Sequence, residues 1–293
     1  MAGIKELRQR ITSVGNIKQI TKAMEMVATT KLRRFQDRAT SSRPYAEEIT
    51  GLVGRLAAVL GDRVGDRPEF RAGAGEKTLA LVVTSDRGLC GAYNSNLLRL
   101  LEGWRREHER DIDYLVYGRK GFAYMNKRDF EVKAYLEEPA LEQMDYRSAA
   151  IVGRMLVKEF LSGDYRDVVL VTTRFLTMAK YVPEVASFLP IAGEAFGEAS
   201  GEDEGGLAAD VILEPDAEAI FGQLLPRYLE TRVFNALLEA LASEYASRRF
   251  AMKNATEAAT DMQNVLRGIY NRKRQETITK ELLDIIGGAE AVQ

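Results

Sequence analysis

Residues 226–286 read PRYLETRVFNALLEALASEYASRRFAMKNATEAATDMQNVLRGIYNRKRQETITKELLDII. After Pro226 this stretch has no further proline and a single glycine, Gly268. As one helix it would be about 90 Å long, several times an ordinary globular helix. Its apolar residues keep a heptad step. One row is Leu238, Tyr245, Met252, Ala259 and Leu266; the other is Leu241, Ala255, Met262 and Ile269, with Arg248 standing in that row. A strict heptad makes a narrow stripe on a left-handed supercoil, which needs a partner helix. The stretch reads as a rod.

The rest of the 293-residue chain has room for one large domain or two modest ones. Apolar content of 46% and charged content of 29% are those of a folded protein rather than a disordered one. The net charge of −2 is unevenly spread. Residues 1–40 carry Lys5, Arg8, Arg10, Lys18, Lys22, Lys31, Arg33, Arg34 and Arg38 against Glu6, Glu25 and Asp37. Such a basic helix can meet nucleic acid, a membrane surface or an acidic protein. A pI near 5.8 weighs against a dedicated nucleic-acid binder. Cys90 is the only cysteine and His108 the only histidine. An intrachain disulfide and a multi-histidine metal site are therefore excluded, and His108 reads as a solvated side chain. No apolar run reaches the roughly 18 residues of a membrane span, and the charged N-terminus is no secretory signal. Any membrane association must go through a partner.

At the N-terminus Ile4, Leu7, Ile11 and Val14 step as a helix seam, which resumes at Ile17, Ile20, Met24 and Val27. Two successive steps of three predict a stammer beside Gly15. Tyr45, Ile49, Leu52, Leu56 and Val59 continue the pattern; Pro44 either starts a second helix or kinks a single long one. Gly61 to Gly75 reads as a linker. The apolar run from Thr78 to Ser85 is a strand buried on both faces. Further strands are expected at Ile112–Tyr117, Phe130–Leu136 and Asp167–Thr173. Helices should start near Asn94-Ser95, fill Gly118–Asp129 and fill Ser148–Leu161. Phe175 to Ile191 reads as a hairpin broken at Tyr181-Val182-Pro183, residues 193–210 as an acidic mobile loop, and residues 211–214 as a last strand. Gly287-Gly288 should end the terminal helix. Alternating strands and helices give a parallel sheet. The expected fold is α/β: a long antiparallel coiled coil of the terminal helices with an inserted Rossmann-like α/β domain. The expected division is 1–62, 76–213 and 214–293.

The most enzyme-like feature is the loop Asp86-Arg87-Gly88-Leu89-Cys90-Gly91, at the carboxyl end of a strand where such folds bind phosphates. It matches neither phosphate-loop nor dinucleotide spacing. The plain reading is a tight turn with Cys90 packed as a small apolar side chain. Arg248 and Lys273 fall on the seam of the rod, where charges cost stability and fix register or bind a partner's carboxylate. The tail Leu282-Leu283-Asp284-Ile285-Ile286 is apolar over most of its circumference and needs cover from another protein if the N-terminal helix ends short of it.

Several stretches resemble the gamma subunit, or central shaft, of F-type ATP synthase. These are residues 1–8 and 17–28, Thr84-Ser-Asp-Arg-Gly-Leu-Cys-Gly-Ala-Tyr-Asn-Ser-Asn, Ala251-Met-Lys-Asn-Ala-Thr and Tyr270-Asn-Arg-Lys-Arg-Gln-Glu-Thr-Ile-Thr-Lys-Glu-Leu. Between about residues 109 and 209 the likeness lies mainly in the strand–helix order. The resemblance implies a central-stalk rotor subunit of the proton-translocating enzyme, with no cofactor and no catalytic residue of its own. Its partners would be a ring of alternating alpha and beta subunits, the epsilon subunit and the c-subunit ring. It also implies a peripheral place on the cytoplasmic face of the bacterial inner membrane. Contacts between shaft and ring, or within the shaft, are implied at Met24, at either Arg248 or Arg249, and at Gln275, Thr279 and Glu281. The apolar tip adds Leu282, Leu283 and Ile286. Arg248-Arg249-Phe250 stands where the family usually has Ala-Arg-Met, and the cysteine-bearing insertion of chloroplast members is missing.

Physics favours such a role. A rod without threefold symmetry shows a different face to each of three equivalent sites around it. Switching one site from 1:99 to 99:1 takes ~5.5 kcal/mol of differential interaction, within reach of a few buried contacts. The sequence also admits two rival readings: a nucleotide-binding α/β enzyme with a coiled-coil arm, and a basic coiled-coil DNA binder.

Overall fold

The computed structural model describes residues 3–108, 110–128, 130–192 and 213–290, with side chains omitted for 287–290. The acidic loop 193–210 and the first half of the expected strand 211–214 lie outside the described residues. The chain forms two compact units, Met1–Thr29 with Arg248–Gln293 and Thr30–Ser247. Two helices run through both. The first, α1 (Ile4–Leu60), is one 57-residue helix with Pro44 inside it. The last, α5 (Ala217–Glu290), has 74 residues. It starts earlier than Pro226, capped by Asp216, whose Oδ1 accepts the Ala219 N–H at 2.8 Å. It also continues through Gly287-Gly288. Glycine weakens a helix by about 1 kcal/mol but ends one only when the backbone turns left-handed.

In the first unit the two helices run antiparallel. Thr256 Oγ1 donates to Thr21 Oγ1 at 2.9 Å, and a Cβ added to Gly15 would come within 3.0 Å of Gln263 Nε2. Gly15 thus makes room for Gln263. The α1 seam runs Ile4, Leu7, Ile11, Val14, Lys18, Thr21, Glu25 and Ala28, all buried or half-buried, in unbroken steps of three and four. There is no stammer. Ile17 and Ile20 are exposed and belong to a second stripe, one residue ahead of the seam. The same offset corrects α5. Met252, Ala259 and Leu266 sit on the seam as expected, but the alternate row is Thr256, Gln263, Tyr270 and Thr277. Met262 and Ile269 are 57% and 48% exposed. Apolar character pointed to the wrong row because here the inward row is polar and its neighbour apolar.

In the second unit the seam is conventional. Leu32, Phe35, Ile49, Val53, Leu56 and Leu60 on α1 are buried, as are Leu225, Leu238, Leu241 and Tyr245 on α5. Phe35 stacks on Tyr245 with ring centroids 5.4 Å apart, and Ser42 Oγ donates to Asn235 Oδ1 at 3.2 Å. The expected linker is ordered. Val64 is buried, the Phe70 ring lies 6.0 Å from Phe221, and the Ile191 N–H donates to Glu69 O at 2.8 Å.

The α/β part contains strands β1 (Lys77–Val83), β2 (Ile112–Tyr117), β3 (Val132–Leu136), β4 (Tyr165–Thr177) and β5 (Lys180–Leu189). Its helices are α2 (Tyr93–Glu107), α3 (Arg119–Met125) and α4 (Tyr146–Leu161). The sheet order is β3-β2-β1-β4-β5; the first four strands are parallel and β5 is antiparallel. Ala80 and Val82 pack with Leu97, Leu98, Leu101, Tyr114 and Val116, while Leu79, Leu81 and Val83 between them are equally buried. Both faces of β1 are therefore covered, as its continuous apolar run requires. The hairpin turns at Met178-Ala179 rather than at Tyr181–Pro183, because β4 continues to Thr177. Pro183 is tolerated because β5 is an edge strand.

Phe35→Ala removes a fully buried, stacked ring and is expected to cost about 3–5 kcal/mol in urea denaturation of the free chain. Ile269→Asp, on an exposed flank, is expected to stay within about 0.5 kcal/mol of wild type.

Candidate functional site

Three regions bear on function: the loop after β1, the crevice at the carboxyl ends of β1–β3, and the far end of the first unit. The loop is held from within. The Asn94 side chain accepts from Ser85 N at 3.0 Å and donates to Ser85 Oγ at 2.7 Å; Ser85 Oγ in turn donates to Arg87 O at 2.8 Å. Asp86 Oδ1 accepts the Arg119 N–H at 3.0 Å, at the start of α3. Leu89 and Gly91 take φ of 62° and 58°, which completes a tight turn. Cys90 is buried, and its carbonyl accepts from Ser247 Oγ of α5 at 2.6 Å. The loop thus serves as a seat for α5. His108 is not simply solvated. Its Nε2 lies 2.9 Å from Thr78 Oγ1 and its ring stacks on Trp104 at 4.5 Å.

The crevice where α/β folds hold ligands is here occupied by the long helices. A cleft of about 320 Å³ remains, lined by Lys31, Asp86, Arg87, Arg119, Glu142 and Tyr245 among others. Glu142 bonds to Lys31 and accepts from the Tyr245 hydroxyl at 2.7 Å. Burial works against ionisation of Glu142. The Lys31 ammonium and the Tyr245 hydroxyl outweigh it and hold the carboxyl below its usual range. Lys31 also lies 5.5 Å from the centre of the Tyr245 ring. Further polar contacts hold α5 to the sheet. Ser243 Oγ donates to Thr173 O at 3.2 Å, and the Phe175 N–H donates to Glu239 Oε2 at 3.3 Å. Among the described residues no cluster of His, Cys, Asp and Glu could hold a metal ion.

At the far end of the first unit, the register that sets Gly15 beside Gln263 reaches about Lys273 when carried to Ile4, where α1 begins. Beyond it α5 continues for a further ~25 Å at about 1.5 Å per residue. On this overhang Gln275, Thr279, Glu281, Leu282, Leu283 and Ile286 are all exposed, and Ile285 is 69% exposed. Lys273 sits on the seam as its spacing predicts, half-buried, with Nζ 3.0 Å from Glu276 Oε2. Arg248 is buried, while Arg249 and Met24 are half-buried. The named positions thus fall in two groups in this unit, Met24, Arg248 and Arg249 on the paired length and the others on the overhang. The Glu142–Lys31–Tyr245 contact was missed by sequence reasoning, since its members lie 111 and 103 residues apart.

A family model described as ATP synthase matches residues 3–292. The ATP synthase gamma chain of Maridesulfovibrio salexigens is 37% identical over 298 residues, covering all of both chains. That of Moorella thermoacetica is 39% identical over 297 residues, again with full coverage. The chain belongs to the ATP synthase gamma-chain family. Among solved structures, a chain of the Tetrahymena thermophila mitochondrial ATP synthase central stalk and c-ring aligns with a TM-score of 0.60 at 26% identity. The match covers 80% of this chain and 99% of that one. A chain of the Euglena gracilis mitochondrial rotor aligns at 0.63 and 20% identity, a likeness of fold. Among the described residues no helix of this gamma chain is long and apolar enough to cross a membrane.

Because its folded-state pKa is depressed, Glu142 contributes stability above its unfolded value, and loses that contribution as pH falls through the folded one. Glu142→Gln is therefore expected to flatten the acid limb of the stability profile below about pH 5, as followed by urea midpoints, relative to wild type.

Proposed function

We propose that this chain is the central rotor shaft of an F-type ATP synthase, coupling ion flow through a membrane ring to conformational change at catalytic beta subunits. The observation that carries the reading is the overhang: a single 74-residue helix outruns its partner and ends in exposed Leu282, Leu283, Ile285 and Ile286. An apolar tip of this size in water is a docking surface awaiting a socket. Full-length identity of 37–39% to gamma chains supports the same reading. The shaft transmits torque and performs no bond chemistry.

In this reading the helix pair stands inside a ring of alternating alpha and beta subunits, and the α/β insert meets the epsilon subunit and the c-subunit ring. The functional division follows 1–62 and 214–293 as shaft and 76–213 as foot. Met24, Arg248, Arg249, Gln275, Thr279, Glu281, Leu282, Leu283 and Ile286 contact the ring or brace the shaft. The chain works at the cytoplasmic face of the bacterial inner membrane, reaching it through partner subunits and binding no nucleic acid.

Deleting residues 282–293 is expected to leave the urea midpoint of the free chain unchanged and to lower coupling in reconstituted complexes severalfold, read as ATP-driven ion pumping per ATP hydrolysed. Coupling equal to wild type would refute the socket. Isothermal titration of the free chain with ATP is expected to give no micromolar binding, the result a nucleotide-binding enzyme would require.

A further inference from the structure

Over the middle of the first unit the helix pair is turned inside out. The α1 seam there is Lys18, Thr21, Glu25 and Ala28; the α5 seam residues at that level are Ala259, Thr256, Met252 and Arg249. Of these, Met252 alone is a large apolar side chain. A polar contact crosses the seam between the Thr256 and Thr21 hydroxyls at 2.9 Å. Beside it Ile17, Ile20 and Val27 of α1 are exposed, as are Met262 and Val265 of α5 just past its end. The second unit has the opposite arrangement, with Leu32, Phe35, Ile49, Val53 and Leu56 buried in the seam.

The outward residues are not scattered. Ile17, Ile20 and Val27 each precede a seam position by one residue, and so do Met262 and Val265. One residue turns a helix by roughly 100°. In an antiparallel pair the same offset brings both stripes to one flank. Met26 and Phe250, also exposed, each follow a seam position by one and lie on the other flank. A coiled coil draws its stability from apolar knobs in the seam. This stretch has few, and it presents its apolar surface outward on two flanks.

We infer that the helices over 17–28 and 249–265 are held together by the inner wall of the enclosing ring rather than by their own seam, so that in the free chain this stretch opens readily and closes on assembly. The inference rests on the rotor reading, and it adds that the shaft is completed by its housing. An encircling wall fits apolar positions on both flanks, whereas one docked helix would cover a single flank. Small seam residues such as Thr21, Ala28 and Ala259 also let the backbones approach closely, which keeps the closed pair thin.

The test is hydrogen–deuterium exchange on the full chain, alone and in the reconstituted complex. In the free chain, amides of 17–28 and 249–265 are expected to exchange at least ~100-fold faster than those of 32–60 and 228–245, with the difference lost on assembly. Equal protection of both regions in the free chain overturns this inference and leaves the rotor reading standing. A loose free chain that gains no protection in the complex overturns the enclosing wall, and the rotor reading with it. The double variant Thr21→Leu with Thr256→Leu supplies apolar knobs to the seam. It is expected to slow exchange of that stretch in the free chain by ~10-fold or more. No slowing would mean that seam polarity is not the cause, and would also overturn the inference.

Discussion

The antiparallel register between α1 and α5 is the constraint on which the other features depend. It appears in the Thr21–Thr256 contact of one unit and in the Ser42–Asn235 and Phe35–Tyr245 contacts of the other. Steps of three and four that never slip from Ile4 to Leu60 keep the inward positions of α1 in phase within each unit. Because the register is set, the end of α1 determines where α5 becomes unsupported. The overhang and its apolar tip are therefore consequences of pairing and chain length together, and neither helix alone would define them.

Within that frame the α/β insert is attached by polar side chains. Ser247 reaches the Cys90 carbonyl, Ser243 the Thr173 carbonyl, and Glu239 the Phe175 N–H, with Tyr245 and Lys31 meeting at Glu142. Such bonds add modestly to stability, about 0.5–1.5 kcal/mol each, but they have direction, which apolar contact lacks. In a rotor, directional contacts resist sliding and twisting of the helix against the sheet. The loop after β1, with its enzyme-like position, is part of this attachment. The crevice that would receive a ligand in a related fold receives a helix pair instead.

The strands, the rod and most of the buried positions were legible in the sequence, because continuous apolar runs and a heptad step have few alternatives. Leu238, Tyr245, Met252, Ala259 and Leu266 could be read as one row, and Lys273 followed from the same spacing. Failure came where polarity and burial part company. Ile17, Ile20, Met262 and Ile269 look like seam residues and are not, since a stripe one residue away satisfies the periodicity equally well. Sequence polarity reports which face avoids water in the working assembly. It does not distinguish a face buried against the partner helix from one buried against another protein. The Glu142 contact was unreadable for a different reason: a pairing across more than 100 residues leaves no local trace.

The position of the insert also shapes how the chain is made. Ser42 meets Asn235 across 193 residues of sequence, so the apolar face of α1 emerges from the ribosome long before the helix that covers it. At about 5–20 residues per second, that interval is on the order of ten seconds or more. A nascent helix with Leu32, Phe35, Ile49, Val53 and Leu56 uncovered for so long shows water an apolar stripe of the kind that promotes aggregation. The same architecture that pairs two distant ends of one chain therefore makes its synthesis the moment of greatest exposure.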